Sequence, residues 1–306
     1  MSKTAFLFPG QGAQKCGMAR SFYETDPDAK AVIDRASELL GMDMPELLFI
    51  PNDRLDRTEF TQPAMVTAGI AMLQAVAKTG LKPDVCAGLS LGEYEALYAA
   101  GAMSADDAVR TVQVRGKLMA EAVPAGVGGM AAVVGAETAL VEETIAPIAD
   151  VWIANYNCPG QIVISGKKEA LAQASDALKA AGVRRVLPLN VSGPFHSGLL
   201  AEAGEKLGAY LAGVEIRPLV IPYAANFTGA YVTDSAEIAP LLVKQVSGSV
   251  RFEQSIRGML ADGVDTFVEI GPGKALSGFV KKTAKALDMK DYRIINIETA
   301  EDMGNL

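Results

Sequence analysis

The stretch Pro83-Asp84-Val85-Cys86-Ala87-Gly88-Leu89-Ser90-Leu91-Gly92-Glu93-Tyr94-Glu95-Ala96-Leu97-Tyr98 decides the fold. Val85 to Ala87 is a short apolar run that reads as a buried strand. Glu93 onward is a good helix former. Between them lies Gly-x-Ser-x-Gly, and strand, Gly-x-Ser-x-Gly, helix is the context of a nucleophile elbow. Glycines on both sides of Ser90 remove Cβ atoms that would clash at so sharp a turn. The serine hydroxyl then projects at a helix start, where backbone N–H groups and the helix dipole favour developing negative charge. The alternative is a tight Gly-rich turn with no chemistry.

Working outward on the N-terminal side, Ala5 to Phe8 reads as a first buried strand closed by Pro9-Gly10. Gln11-Gly12-Ala13-Gln14 continues as a loop without the Gly-Lys-Ser/Thr of a phosphate loop, and suits a backbone N–H donor loop beside a site. Ala29 to Leu40 predicts a helix stopped by Gly41, and Ala64 to Lys78 a long helix after Thr61-Gln62-Pro63. On the C-terminal side, Ser104 and Asp107 form a capping box for another helix. Ala108, Val112, Arg115 and Met119 share one face of it, with Arg110 nearly opposite. An arginine in an apolar stripe needs a partner. It is either in an internal ion pair or a clamp on a substrate carboxylate.

From about residue 125 the pattern changes. Strands at 129–134, 151–156, 161–165 and 183–191, with helices at 137–145 and 168–181, spell βαββαβ, the ferredoxin-like order. The expectation is a small domain, 125–195, inserted into a large α/β domain of residues 1–124 and 196–306. The chain returns to the large domain through Ser192-Gly193-Pro194-Phe195-His196-Ser197, followed by helices at 199–211 and 235–246, a strong strand at 265–270, Gly271-Pro272-Gly273, a last helix and a strand at 293–297.

The chain has 306 residues, 50% hydrophobic and 21% charged, ordinary for a globular enzyme. A net charge of −8 without a basic stripe argues against nucleic acid as a partner. Three widely spaced cysteines, Cys16, Cys86 and Cys158, suggest reduced thiols in a cytoplasmic protein. With one histidine, a zinc site is not expected. The apolar start is too short for a signal sequence, and no apolar run is expected to span a membrane.

That one histidine, His196, is the only imidazole available to activate Ser90. It follows the serine in chain order, as in hydrolases built on the same elbow. No acidic residue between the two stands in an obvious orienting position, so a backbone carbonyl is the alternative third member.

Together, Phe8-Pro9-Gly10-Gln11-Gly12, Thr61-Gln62-Pro63-Ala64, the elbow through Glu93-Tyr94, Arg115-Gly116, Asn157-Cys158-Pro159-Gly160-Gln161, Gly193-Pro194-Phe195-His196-Ser197 and Glu269-Ile270-Gly271-Pro272-Gly273 resemble, in order, the malonyl-CoA:acyl carrier protein transacylases. The resemblance spans essentially the whole chain. It implies an α/β-hydrolase-like large domain with a ferredoxin-like insert. It implies Ser90 as nucleophile and His196 as base, with the backbone N–H groups of Gln11 and Leu91 as the oxyanion hole. It also implies Arg115 on the malonyl carboxylate, the Gln245 carbonyl orienting His196, and Asn157 and Phe195 near the substrate. Phe195 resembles the malonyl-selective form. Leu89 departs from the histidine often found before the nucleophile, which bears on the pocket and thioester access rather than on the base. The expected partners are malonyl-CoA and a holo acyl carrier protein, with no membrane, metal or cofactor beyond the CoA thioester as substrate. The rivals are a serine esterase or thioesterase on the same elbow, and a binding protein in which the elbow is only a turn.

Overall fold

The structure is a computed structural model describing residues 2–124, 126–191 and 193–306. Ala125, where the insert is expected to begin, and Ser192, in the returning segment, lie outside the described residues. Among the described residues the strands run β1 (Lys3–Phe8), β2 (Val85–Gly88), β3 (Gly128–Val134), β4 (Val151–Cys158), β5 (Gln161–Lys167), β6 (Arg185–Pro188), β7 (Tyr223–Ala224), β8 (Tyr231–Val232), β9 (Val250–Arg251), β10 (Val264–Ile270) and β11 (Arg293–Ile297).

The larger sheet has the order β11-β10-β1-β2-β7-β8. It is parallel from β11 to β7, and β8 closes it antiparallel. A parallel sheet is covered on both faces, and β1 shows the consequence for sequence. Phe6 and Phe8 pack into one apolar cluster while Ala5 and Leu7 pack into the cluster on the other face. Alternate side chains thus enter different cores, so the strand reads as an unbroken apolar run.

The smaller sheet has the order β6-β3-β5-β4-β9. Its first four strands pair antiparallel. The helices Thr138–Ile145 and Lys168–Ala180 supply Val141, Ala174 and Leu178 to the apolar cluster against it. In chain order this is βαββαβ with strand order 4-1-3-2, the ferredoxin-like arrangement. Its fifth strand was not foreseen: β9, from residues far beyond the insert, lies parallel to β4 through Asn155–Val250 and Tyr156–Arg251.

The fold is therefore α/β, a large parallel-sheet unit with a ferredoxin-like one. Some elements depart from expectation. The long helix begins at Thr58, not Ala64, and carries Pro63 inside it. Proline offers no N–H to the carbonyl of Glu59, so one turn lacks a bond, but burial of nearly every side chain outweighs that loss. This helix is also long and apolar enough to cross a membrane, which corrects the expectation that no segment is. Of its apolar window, 83% is buried inside the protein. The strand expected at 183–191 is only Arg185–Pro188. Two short helices, Arg20–Thr25 and Met44–Phe49, the helix Phe252–Ala261, and the two-residue strands β7, β8 and β9 were not foreseen.

Candidate active site

The elbow is as tight as its glycines require. Ser90 sits at φ 53°, the left-handed region, which costs a non-glycine residue about 1–3 kcal/mol. A Cβ on Gly88 would lie 1.9 Å from the backbone of Gly92, and one on Gly92 would lie 2.2 Å from the Phe8 carbonyl oxygen. Leu89 N–H donates to Phe8 O at 2.9 Å, which clips the turn to the end of β1. The Pro9–Gly12 loop is drawn against the turn as well, since a Cβ on Gly10 would meet Leu89 O at 2.4 Å. This close approach brings Gln11 beside Ser90.

His196 is 4% exposed and, like Ser90, has a positive φ, 56°. Its Nε2 is 2.7 Å from Ser90 Oγ and its Nδ1 is 2.8 Å from Gln245 O. A carbonyl only accepts, so Nδ1 carries the proton and Nε2 is the lone-pair acceptor for the serine hydroxyl. Burial lowers the imidazole from its ordinary 6.5 to about 4, and the Arg115 charge adds to the effect. The ring is therefore held uncharged and ready to take a proton, with a backbone carbonyl in the place a carboxylate would otherwise occupy.

Arg115 reaches the same point from the helix Ala105–Glu121, capped by Ser104 Oγ accepting from Asp107 N–H at 3.0 Å. Arg115 is 1% exposed and Arg110 is exposed, as the helical spacing required. At Gly116 the helix passes so close to the long helix that a Cβ would lie 2.9 Å from Thr58 O. That approach lets Arg115 Nη1 donate to Gln62 Oε1 at 2.9 Å. Its Nη2 donates to Gln245 Oε1 at 3.0 Å and to Ser90 Oγ at 3.1 Å. Of the two readings of Arg115, the internal ion pair fails among the described residues: its hydrogen-bond acceptors are two neutral amides and a hydroxyl. Burial lowers its pKa, opposed by Tyr94 and Glu93. The cation is desolvated and oriented, with no carboxylate against it.

These groups line a cavity of about 180 Å³ between the two sheets. Gln11, Leu89 and Phe195 also line it, as do Asn157, Met130, Asn155 and Val163 of the smaller sheet. Gln11 Nε2 donates to Thr58 Oγ1 at 3.0 Å, which fixes the loop. Leu91, the residue after the serine, is fully buried and is not among the residues lining the cavity. Asn157 is 6% exposed, and its Oδ1 has no hydrogen-bond partner among the described residues. Gln245 contributes more than its carbonyl: its Nε2 donates to Ser90 O at 2.8 Å and to Glu93 Oε2 at 2.7 Å.

Sequence reasoning missed Asn226. Its Oδ1 accepts from Ser90 N–H at 2.6 Å and its Nδ2 donates to Gly88 O at 2.7 Å, so one amide braces both sides of the turn. It also passed over Gln62 as an Arg115 acceptor and Glu93 as more than a helix-start residue. None of these carries a periodic signal, because each acts across a large sequence separation.

Comparison with known proteins bears on the family. The acyl transferase domain family model matches residues 5–303. The malonyl CoA-acyl carrier protein transacylase of Bacillus subtilis is 45% identical, over 98% of this chain and 96% of its own length. This chain belongs to the malonyl CoA-acyl carrier protein transacylase family. A Staphylococcus aureus transacylase is 42% identical over 99% of this chain and 98% of its own. Among solved structures, the Clostridium perfringens transacylase superposes with a TM-score of 0.94 at 44% identity, covering 99% of this chain and 96% of that one. A complex described as a type II PKS acyl-carrier protein with its malonyl-transacylase superposes at 0.94 and 35% identity, covering 99% of this chain and 98% of that one. The chain is an acyltransferase of this transacylase family.

Proposed function

We propose that the protein transfers a malonyl group from malonyl-CoA to the phosphopantetheine thiol of an acyl carrier protein, by a ping-pong route through a seryl ester. The observation that carries this reading is the convergence of an alcohol, an uncharged imidazole and a guanidinium without a carboxylate partner on one cavity. Ser90 Oγ attacks the thioester carbon as His196 Nε2 takes its proton. The oxyanion is held by Gln11 and Leu91 N–H, donors of a kind worth about 10²–10³ in rate each. On collapse the C–S bond breaks and His196 returns the proton to the departing CoA sulfur. The carrier thiol then repeats the sequence in reverse, giving its proton to His196 and freeing Ser90. Arg115 pairs with the malonyl carboxylate, which also fixes the thioester carbon near Ser90. Phe195 crowds an α-methyl branch, and Asn157 offers its Oδ1 to the substrate. Leu89 keeps that wall of the pocket apolar.

In this reading, CoA is substrate and no cofactor takes part. Residues 1–124 and 196–306 are assigned to the large unit and 125–195 to the small one, with Val250–Arg251 crossing over to add a strand to the smaller sheet. The protein works in the cytoplasm, in keeping with its unpaired cysteines, and supplies extender units for fatty-acid or polyketide synthesis.

Mass spectrometry after exposure to malonyl-CoA tests the reading. A malonyl mass should appear on Ser90, persist without carrier protein, and vanish when holo carrier protein is added. Ser90→Ala should show none. Prompt release of free malonate without carrier would make the protein a hydrolase, and no adduct at all would make the elbow only a turn.

A further inference from the structure

Glu93 is fully buried, three residues past Ser90 at the start of the helix Glu93–Ala99. Its Oε2 accepts from Gln245 Nε2 at 2.7 Å and from Asn226 N–H at 3.3 Å. These two partners hold everything else at the site. Asn226 braces the backbone on both sides of Ser90. Gln245 gives its carbonyl to His196 and its Oε1 to Arg115. We propose that Glu93 is a positioning residue: its carboxylate fixes which way the Gln245 amide faces, and through that amide it sets Arg115 and His196 for the acyl group.

The argument is one of donors and acceptors. An arginine only donates, so Gln245 must turn its oxygen toward Arg115. The Gln245 –NH₂ then needs acceptors behind it, and those are Ser90 O and Glu93 Oε2. An ionised carboxylate, or a carboxyl protonated on the unpartnered Oε1, offers Gln245 only an acceptor at Oε2, so it admits one orientation of the amide and refuses the flipped one. A neutral amide at residue 93 could oppose its own –NH₂ to that of Gln245 or to Asn226 N–H, and the orientation would no longer be forced. Burial pushes the Glu93 carboxyl up to about 7, opposed by the bonds from Gln245 and Asn226 and by the Arg115 charge. The carboxylate also remains outside ion-pair contact with Arg115, so the guanidinium keeps its charge for a ligand.

The inference rests on the transacylase reading, and Glu93→Gln tests it. With the variant folded, as judged by a cooperative melt close to the parent's, kcat/KM for malonyl-CoA should fall about tenfold or more. The malonyl-to-acetyl preference should fall with it, since the acetyl group has no carboxylate for Arg115. A folded variant with the parent's preference and rate overturns the proposal, and so does a loss of yield or melting temperature alone. If Glu93→Gln does not fold, Gln245→Met removes the same amide, and an unchanged malonyl-to-acetyl preference in it overturns the proposal equally. If the parent protein takes no acyl group from malonyl-CoA, the transacylase reading fails separately. Glu93 is then judged by the rate at which a fluorophosphonate labels Ser90, slower in Glu93→Gln if the positioning role holds and equal if it does not.

Discussion

Replacing Arg115 with alanine should separate a malonyl clamp from a structural arginine. Arg115 is 1% exposed and lines the cavity beside Ser90, so a carboxylate bound to it would leave water almost completely. Removing one member of a buried charge pair costs about 3–5 kcal/mol. At about 1.4 kcal/mol per tenfold, kcat/KM for malonyl-CoA should fall roughly one hundred and fifty- to four thousand-fold. Acetyl-CoA has no carboxylate to strand, but the variant also loses the 3.1 Å bond from Arg115 Nη2 to Ser90 Oγ. One such bond is worth about 1 kcal/mol, or about fivefold, and that loss is common to both donors. The malonyl-to-acetyl ratio should therefore drop by at least about thirtyfold, the quotient of these two effects. The assay is initial transfer to holo carrier protein from each donor. Thermal melts serve as control, because Gln62 Oε1 and Gln245 Oε1 both lose their donor. Equal losses for the two donors, within about threefold, would mean that Arg115 only supports the fold and would refute the clamp.

Two further expectations follow from the geometry. Because His196 is lowered to about 4, Ser90 labelling should stay level as pH falls through about 6.5, where an unperturbed imidazole is already half protonated, and should drop only toward about 4; an acid limb near 6.5 that vanishes in His196→Ala would contradict this. Over the same interval the unfolded histidine takes up a proton that the native one refuses, so this residue's contribution lowers stability as pH falls from about 6.5 toward 4. Gly92→Ala places a Cβ 2.2 Å from Phe8 O and should cost about 3 kcal/mol or more, or prevent folding, whereas Gly258→Ala, in the helix Phe252–Ala261 with nothing within 4 Å, should stabilise by about 0.5–1 kcal/mol; melting temperatures that rank them the other way would count against the packing described for the elbow.

The elbow was legible because steric exclusion is local. Only glycine fits at 88 and 92, and a buried strand and a helix former flank them. Arg115 was legible because helical spacing set it among Ala108, Val112 and Met119, though periodicity could not say whether an ion pair or a ligand awaited it. The insert was legible because its strands and helices are long enough to show a period. The strands β7, β8 and β9 were not, since two residues cannot display alternation. The start of the long helix was misplaced because Pro63 is a strong stop signal locally, and only tertiary burial overrides it. Asn226 lay beyond reach altogether: its value is set by a bond to a residue 136 positions away.

The pairing of β4 with β9 has a mechanical consequence. Val250 follows Gln245, whose carbonyl carries His196, by only a few residues, and it is zipped to Asn155 on the wall of the cavity. The two lobes are thus riveted along this seam, next to the imidazole. A swing of the small lobe that widened the cleft here would tear the rivet and drag the His196 imidazole with it.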